Sequence, residues 1–359
     1  MTTFPKWQSV ATRVDLLRST GPRHAWRRWE RDRALRRLTA ARRADLAHAI
    51  WSEAASELGA GVTEAAPGRL EIRRGDALVV VRGQDTSLNG REALALASDK
   101  PAAYRALAAA GVSVPDHLAF DLTGLRPARA FVVRGPLPCV VKPAVGSGGD
   151  GVTGGVRTSA ELRRAALSAS RFSKRLLVER QAAGDVFRLL VLDGEVLDVL
   201  RRLPPRVEGD GTSTVEELIF AEYDRRLGAN GGAGLTPFAV DLDCLLALEG
   251  QGLSLRSVPS LGMVVPVKTV TNYNRPDENE VVGAAASGAL KAEAVAAASA
   301  LGLRLVGVDV VTPSPARGGT VVDANAVPGL HHHGYVADGS TAKRVAVPIL
   351  KKLLEEATP

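Results

Sequence analysis

Cysteine is almost missing from this chain: Cys139 and Cys244 are the only two in 359 residues. Two are too few for a disulfide framework or a cysteine zinc site, and both read as buried small apolar residues. Long apolar runs are missing as well. No stretch approaches the ~18 residues that a bilayer span requires. The start, MTTFPKWQSVATRVDLL, has no apolar stretch of the secretory kind, so a cytoplasmic location is expected. Internal repeats and disordered low-complexity tails are absent too. Acids are scarce in one place: between Arg13 and Arg43 eleven arginines face three acids, which accounts for the whole net charge of +7. That segment is either an electrostatic footprint for nucleic acid or an acidic membrane surface, or an amphipathic helix that packs Trp26, Trp29, Leu35 and Leu38 inward. Nothing downstream repeats the pattern as a nucleic-acid groove would, so the helix is the expected form.

The rest of the chain, with 45% apolar residues overall, is long enough for two or three packed subdomains. Leu46, Ile50, Ala54 and Leu58 recur every four residues and predict an amphipathic helix, and GRLEIRRGDALVVVRGQ predicts a hairpin. Residues 1–97 are therefore expected to form an α/β lead-in domain, followed by units at 98–175 and 176–359. SDKPAAYRALAAAGVSVPDH is a capped helix that runs into a strand. CVVKPA, GVTGGV and RLLVER read as strands, and Thr158 with Glu161 forms a capping box for the helix between the last two. DVFRLLVLDGEVLDVLRR is two strands around Asp193-Gly194, a strong hairpin signal. The Gly- and Pro-rich stretch 203–262 yields only a short helix at TSTVEELI. GAAASGALKAEAVAAASALGL is a long helix, RLVGVDVVT and GTVVDANA are strands, and STAKRVAVPILKKLLEE is a closing helix.

VVKPAVGSGGDGV places Gly146, Gly148 and Gly151 at the spacing G-x-G-x-x-G. A Rossmann fingerprint needs a helix directly after the glycines, and here a strand follows. A Walker A loop needs Gly-Lys-Ser/Thr after them, whereas Lys142 comes before. What remains is a hairpin tip whose backbone N–H groups can close over phosphates, with a lysine on the entering strand.

With these blocks in place, the chain from Ser98 onward resembles the ATP-grasp carboxylate-amine ligases, in particular the branch containing the ATP-grasp domain of cyanophycin synthetase. SDKPAAYRALAAAGVSVPDH is similar to that family's leading helix, and VVKPAVGSGGDGV to its lysine strand and phosphate-covering loop. The segment from LLVERQ to VEELI is similar to its adenine-side strand and basic substrate face, and GVDVVT with VVDANAVPG to its metal strands. The resemblance implies an α/β fold in which the nucleotide is held between two subdomains. It also implies ATP and Mg2+ as cofactors, and formation of an amide between a carboxylate and an amine, with an amino acid or peptide as substrate.

Several residues gain expected roles. Lys142 should contact phosphate, with Lys100 as a second cation and Gly146, Ser147, Gly148, Gly149 and Gly151 as the lid. Glu179 is expected to meet adenine and ribose, with Arg180 and Asp185 at the nucleotide's edge. Asp323 and Asn325, two apart on one strand, point the same way, and Asp309 lies on the preceding strand; three such oxygen ligands suit Mg2+. The family's usual residue at position 323 is glutamate. Arg188, Arg201 and Arg202 are candidates for holding the carboxylate or the transferring phosphate. Asn272 and Asn274 stand where the family has an asparagine-plus-glycine loop, and one of His331, His332 and His333 is assigned to the substrate pocket. Membrane partners are not expected, and a homodimer stays open. Two other functions share these residues: an ATP-dependent phosphotransferase on the same fold, and a nucleic-acid-binding module built on the Arg-rich segment.

Overall fold

The computed structural model describes residues 44–146, 148–227, 240–271 and 275–358, with scattered residues before 44. The body of the Arg-rich segment, with Trp26, Trp29, Leu35 and Leu38, lies outside the described residues. So do Ser147, Asn272 and Asn274.

A helix over residues 44–57 buries Trp51, Ala54 and Ala55. It is followed by an antiparallel meander of β1 (Gly61–Ala66), β2 (Arg69–Arg74) and β3 (Ala77–Arg82). Strand β3 shows why it pairs as it does: Ala77, Val79 and Val81 are buried while Leu78 and Val80 are exposed, the two-residue period of a half-covered strand. β1 has no apolar alternation and was not foreseen. The described part of residues 1–97 does not close a core of its own. Trp51, Ile72 and Val81 share one core with Ile349, Leu350 and Leu353 of the closing helix Ala346–Glu356, and with Leu190 and Leu305. Asn89 fastens this unit to the sheet behind it: its Nδ2 donates to the carbonyls of Leu305 (2.7 Å) and Ala326 (2.8 Å), and its Oδ1 accepts from the N–H of Arg304 (2.9 Å).

Two helices, Arg91–Ser98 and Lys100–Ala109, meet at Asp99, whose carboxylate caps the second by accepting from Ala102 N–H, with Pro101 in the first turn. The four-stranded antiparallel sheet holds β4 (His117–Phe120), β5 (Cys139–Pro143), β6 (Thr153–Val156) and β7 (Leu176–Arg180), in the order β4-β7-β5-β6. Cys139, Val141, Leu176 and Val178 pack on the helices Leu125–Arg134 and Ser159–Ala169, the latter started by the expected Thr158/Glu161 capping box. Alternation then puts Val140, Lys142 and Glu179 on the opposite face. The boundary expected at 175/176 would cut this sheet, because β7 supplies the middle pairing for both β4 and β5.

The chain leaves β7 and enters β8 (Asp185–Leu192) and β9 (Glu195–Arg202), joined as expected by Asp193 (φ 46°) and Gly194 (φ 83°). Two adjacent residues at positive φ match the twist of a two-residue hairpin. A small ladder of β10 (Arg206–Glu208) and β11 (Val264–Pro266) packs with the helices Val215–Leu227 and Leu242–Glu249, in and beside the stretch that the sequence leaves largely unassigned. With β12 (Asn279–Val281), β13 (Leu305–Thr312) and β14 (Thr320–Asn325), a five-stranded antiparallel sheet runs β12-β9-β8-β13-β14. Phe187, Leu189, Val199, Val306 and Val308 on one face cover the helix Gly288–Ala300. On the other face, Leu190 and Leu192 join the N-terminal core, while Arg188, Arg202, Asp309 and Asp323 occupy the end nearest the four-stranded sheet. No helix among the described residues is long and apolar enough to cross a membrane.

Candidate active site

A cleft of about 210 Å3 separates the two sheets. Val140, Lys142, Glu179 and the glycine loop line one wall, Val186, Asp309, Val322 and Asp323 the other, and Lys100 and Thr269 close its sides.

The second wall is organised by register. Arg188 on β8 lies opposite Asp309 on β13, which in turn lies opposite Asp323 on β14. Residues directly opposite in antiparallel strands share a face, so the three form one row. Arg188 grips Asp309 with two bonds, Nε to Oδ1 at 2.5 Å and Nη2 to Oδ2 at 2.7 Å. Asp323 Oδ1 accepts from Lys100 Nζ at 2.6 Å, and Asn325 Nδ2 lies 3.4 Å from Asp323 Oδ2. Burial works against the charges of Arg188, Lys100 and Asp323, yet their partners win. Arg188 and Lys100 are held above their ordinary pKa, by Asp309 and by Asp323 respectively, and Asp323 is held below its own by Lys100 and Lys142.

A bulge interrupts the ladder beside this row. Asp309 faces Asp323 and Val310 faces Val321, leaving Val322 as the extra residue. Its carbonyl turns to the first wall, accepting from the Tyr104 hydroxyl at 2.6 Å and from Lys142 Nζ at 3.1 Å. Lys142, Glu179 and Tyr104 are all buried, and Lys142 Nζ sits 2.8 Å from Glu179 Oε1 and donates to the Tyr104 oxygen at 2.8 Å. Tyr104 also lies 2.9 Å from Glu179 Oε2, so its single proton is contested between that carboxylate and the Val322 carbonyl. Burial and Glu179 push its pKa well up, which keeps it a phenol. Nothing in the apolar-looking helix KPAAYRALAA had singled out Tyr104.

The glycine loop is the tip of the β5–β6 hairpin, as the reading of a following strand requires. Gly148 (φ 75°), Gly149 (φ 78°) and Gly151 (φ 73°) all adopt left-handed backbone, and a Cβ at Gly151 would fall 2.7 Å from the Phe172 ring. Beyond the tip, buried Asp243 accepts from Gly154 N–H (2.9 Å) and Thr269 N–H (3.0 Å), and Gln181 Oε1 accepts from Gly155 N–H (2.8 Å). These anchors of the lid strand were also not foreseen.

Several expected site residues are elsewhere. Glu179 lines the cleft but serves as the counter-ion of Lys142. Arg180 is corrected outright: it turns to the helix side of its sheet, donates to the carbonyls of Pro136 (2.7 Å) and Phe131 (2.6 Å), and stacks on the Phe131 ring. Arg201 and Asp185 pair with each other at 2.8 Å on the far face of the five-stranded sheet, where Arg201 also meets Glu280. Adjacent strand residues point to opposite faces, so only Arg202, opposite Val186, shares the face of Arg188 and Asp309; burial and neighbouring Arg188 push its pKa down to about 9. His331, His332 and His333 form one short helical turn rather than an extended run. His333 Nδ1 pairs with Asp198 (2.7 Å), His331 Nδ1 with Gln84 (3.0 Å), and buried His332 feels Arg202 and Arg188. None of the three lines the cleft.

Among the described residues no group of three or more His, Cys, Asp or Glu could hold a metal. Two carboxylates and an amide side by side are nevertheless the donor set that suits Mg2+, which completes its shell with phosphate oxygens and water rather than an all-protein cage.

Two antiparallel sheets enclosing a cleft, a glycine hairpin over it and a row of charge across the second sheet give the chain the ATP-grasp fold. Sequence comparison finds it 34% identical to the cyanophycin synthetase of Nostoc sp. over 262 residues, 69% of this chain and 28% of that one. It is 28% identical to the glutathione biosynthesis bifunctional protein GshAB of Enterococcus faecalis over 300 residues, 80% of this chain and 39% of that one. In structure it is similar to a bifunctional glutathione synthetase from Pasteurella multocida, with a TM-score of 0.53 and 25% identity, over 83% of this chain and 42% of that one. The chain thus spans well under half the length of these relatives. No protein-family model matches it.

Proposed function

We propose that the chain is an ATP-dependent ligase that joins a carboxylate to an amine, with ADP and phosphate released. The observation that carries this reading is the row Arg188, Asp309, Asp323 facing Lys142 across a cleft with a glycine hairpin at its mouth. In the first step a substrate carboxylate oxygen attacks the γ-phosphorus and the bond to ADP breaks, leaving an acylphosphate. In the second the amine nitrogen attacks the acyl carbon, phosphate leaves with the electron pair, and the amine's proton passes to solvent or phosphate. Phosphoryl transfer asks mainly for positioning and charge neutralisation. Lys142 and Lys100 meet the nucleotide's phosphates, and Arg188 and Arg202 meet the carboxylate and the transferring group. The left-handed glycines let backbone N–H groups close over the phosphates and exclude water from the acylphosphate. Asp309, Asp323 and Asn325 would hold Mg2+, which when bound neutralises phosphate charge. On this reading the nucleotide lies between the sheet of β4–β7 and the sheet of β8, β9 and β12–β14, under the glycine hairpin.

The substrates are an amino acid or peptide carboxylate and an amine of similar kind, which the names of the similar synthetases support. A screen of amino-acid and dipeptide pairs for ADP release, with mass spectrometry of the products, tests this directly. An amide product that requires both substrates is expected. A stable phosphorylated product formed without any amine would instead make the chain a phosphotransferase.

A further inference from the structure

The charges at the sheet end of the cleft come in mated pairs: Lys100 with Asp323, Arg188 with Asp309 and Lys142 with Glu179. These cancel, and Arg202 alongside is itself met by the charge of buried Glu278. The cluster therefore presents no net negative field to a divalent cation, although it contains the oxygen donors that suit one. A metal ion arriving alone must displace a cation already in place.

The three pairs are not equally fixed. Lys142 and Glu179 are enclosed, with side chains 6% and 5% exposed, and Arg188 holds Asp309 with two bonds. Lys100 holds Asp323 with one bond, and their side chains are 12% and 27% exposed. Lys100 sits in the first turn of its helix and lines the cleft, so its flexible stem can carry the ammonium from a carboxylate to a phosphate while the helix stays put.

We propose that Lys100 is a place-holding cation: it occupies Asp323 until the phosphates of a nucleotide draw it away, and so makes divalent-metal binding depend on the nucleotide. This rests on the reading of the cleft as a nucleotide and metal site. Nucleotide phosphates supply the negative charge that the cluster lacks, Lys100 moves onto them, and Asp323 is freed for the metal in the same event. Binding is reciprocal, so the metal strengthens nucleotide binding by the factor with which the nucleotide strengthens metal binding.

The test titrates the full chain with Mn2+, a hard-cation probe read by electron paramagnetic resonance, with and without a non-hydrolysable ATP analogue. In the wild type the analogue should tighten Mn2+ binding by about 10- to 100-fold. Without nucleotide, Lys100→Met and Lys100→Gln should bind Mn2+ about ten-fold or more tightly than the wild type, the scale of one charge-assisted contact. Adding Asp323→Asn to Lys100→Met should remove that gain. A lysine that merely supports the fold would give weaker Mn2+ binding when replaced, and unchanged or weaker nucleotide-free binding in both variants overturns the proposal. If the wild type binds Mn2+ with the analogue but the variants gain nothing, the place-holding role alone is wrong. If the wild type binds none even with the analogue, the reading of the cleft falls with it.

Discussion

The two walls of the cleft carry similar charges in different settings. On the four-stranded sheet the Lys142–Glu179 pair is sealed in, with Tyr104 bonded to it and the bulged Val322 carbonyl bonded to both Lys142 and Tyr104. At the five-stranded sheet, Asp323 pairs with Lys100 of the neighbouring helix, and this pair is partly open to the cleft. A sealed ion pair is costly to break from one side, because the survivor is left charged and buried, whereas a partly open pair can exchange partners. The first wall thus holds a pair fixed in position, whereas the second sets a fixed pair, Arg188–Asp309, beside one more open to exchange.

The sharpest way to break this comparison is Lys142→Ala. It strands Glu179 in a dry site, so urea denaturation should register a loss of about 3–5 kcal/mol. Nucleotide affinity, read by calorimetry, should fall ten-fold or more, the scale of a lost charge-assisted contact. Unchanged stability would mean that the two walls are not different in kind. Next in size is a contrast between neighbours: Arg202→Met should cut ADP release by about ten-fold or more, since it removes a guanidinium from the face that carries Arg188 and Asp309. Arg201→Met loses only partly exposed ion pairs, of the kind worth about 0–1 kcal/mol, and should leave turnover nearly intact. Equal losses in both would put the substrate on the wrong face of the sheet.

A smaller effect is expected from pH. Burial, then His331, Arg202, Arg188 and His333, hold the His332 pKa well below its ordinary 6.5. The folded state therefore resists protonation that the unfolded state accepts, so this contribution to stability is present above about pH 6.5 and is lost as pH falls through and below it. Melting temperatures from pH 8 to pH 5 should fall less steeply for His332→Gln than for the wild type; parallel curves would remove His332 from the account. Smallest of all is Tyr104→Phe, which keeps the ring and removes one hydroxyl. It should cost about 1 kcal/mol of stability and weaken nucleotide binding a few-fold. In a Lys142→Ala background the effect on nucleotide binding should vanish, because the hydroxyl acts there through Lys142.

What the sequence made legible was mostly local or alternating. Asp193-Gly194 is a turn by its backbone chemistry, Thr158 and Glu161 mark a helix start, and Lys142 ahead of a glycine run that leads into a strand declares a hairpin tip rather than a Walker loop. Asp323 and Asn325 share a face because they are two apart. Alternation also required that Arg201 and Arg202 part company, but which one shares the face of Arg188 and Asp309 depends on register with β8, and register is not local. The same holds for Arg180, whose place is set by the helix Leu125–Arg134 packed on its side of the sheet. Tyr104 was hidden because a tyrosine on an apolar helix face looks like core until the groups meeting its hydroxyl, 38, 75 and 218 residues away, are known. The helix Leu242–Glu249 escaped notice because its capping residue, Asp241, ends a stretch with no apolar period.

The central claim is that Asp309 and Asp323 form the metal end of a phosphoryl-transfer cleft, and Asp323→Asn tests it most directly. The change keeps the size and one oxygen of the side chain but removes the charge that helps hold a cation against phosphate. ADP release is measured against Mg2+ concentration for wild type and variant with the substrate pair found by the screen, and circular dichroism checks that both are folded. The account predicts a folded variant whose turnover falls by about 100-fold or more and is only partly restored by excess Mg2+. A folded Asp323→Asn protein with wild-type turnover and wild-type Mg2+ dependence would contradict it.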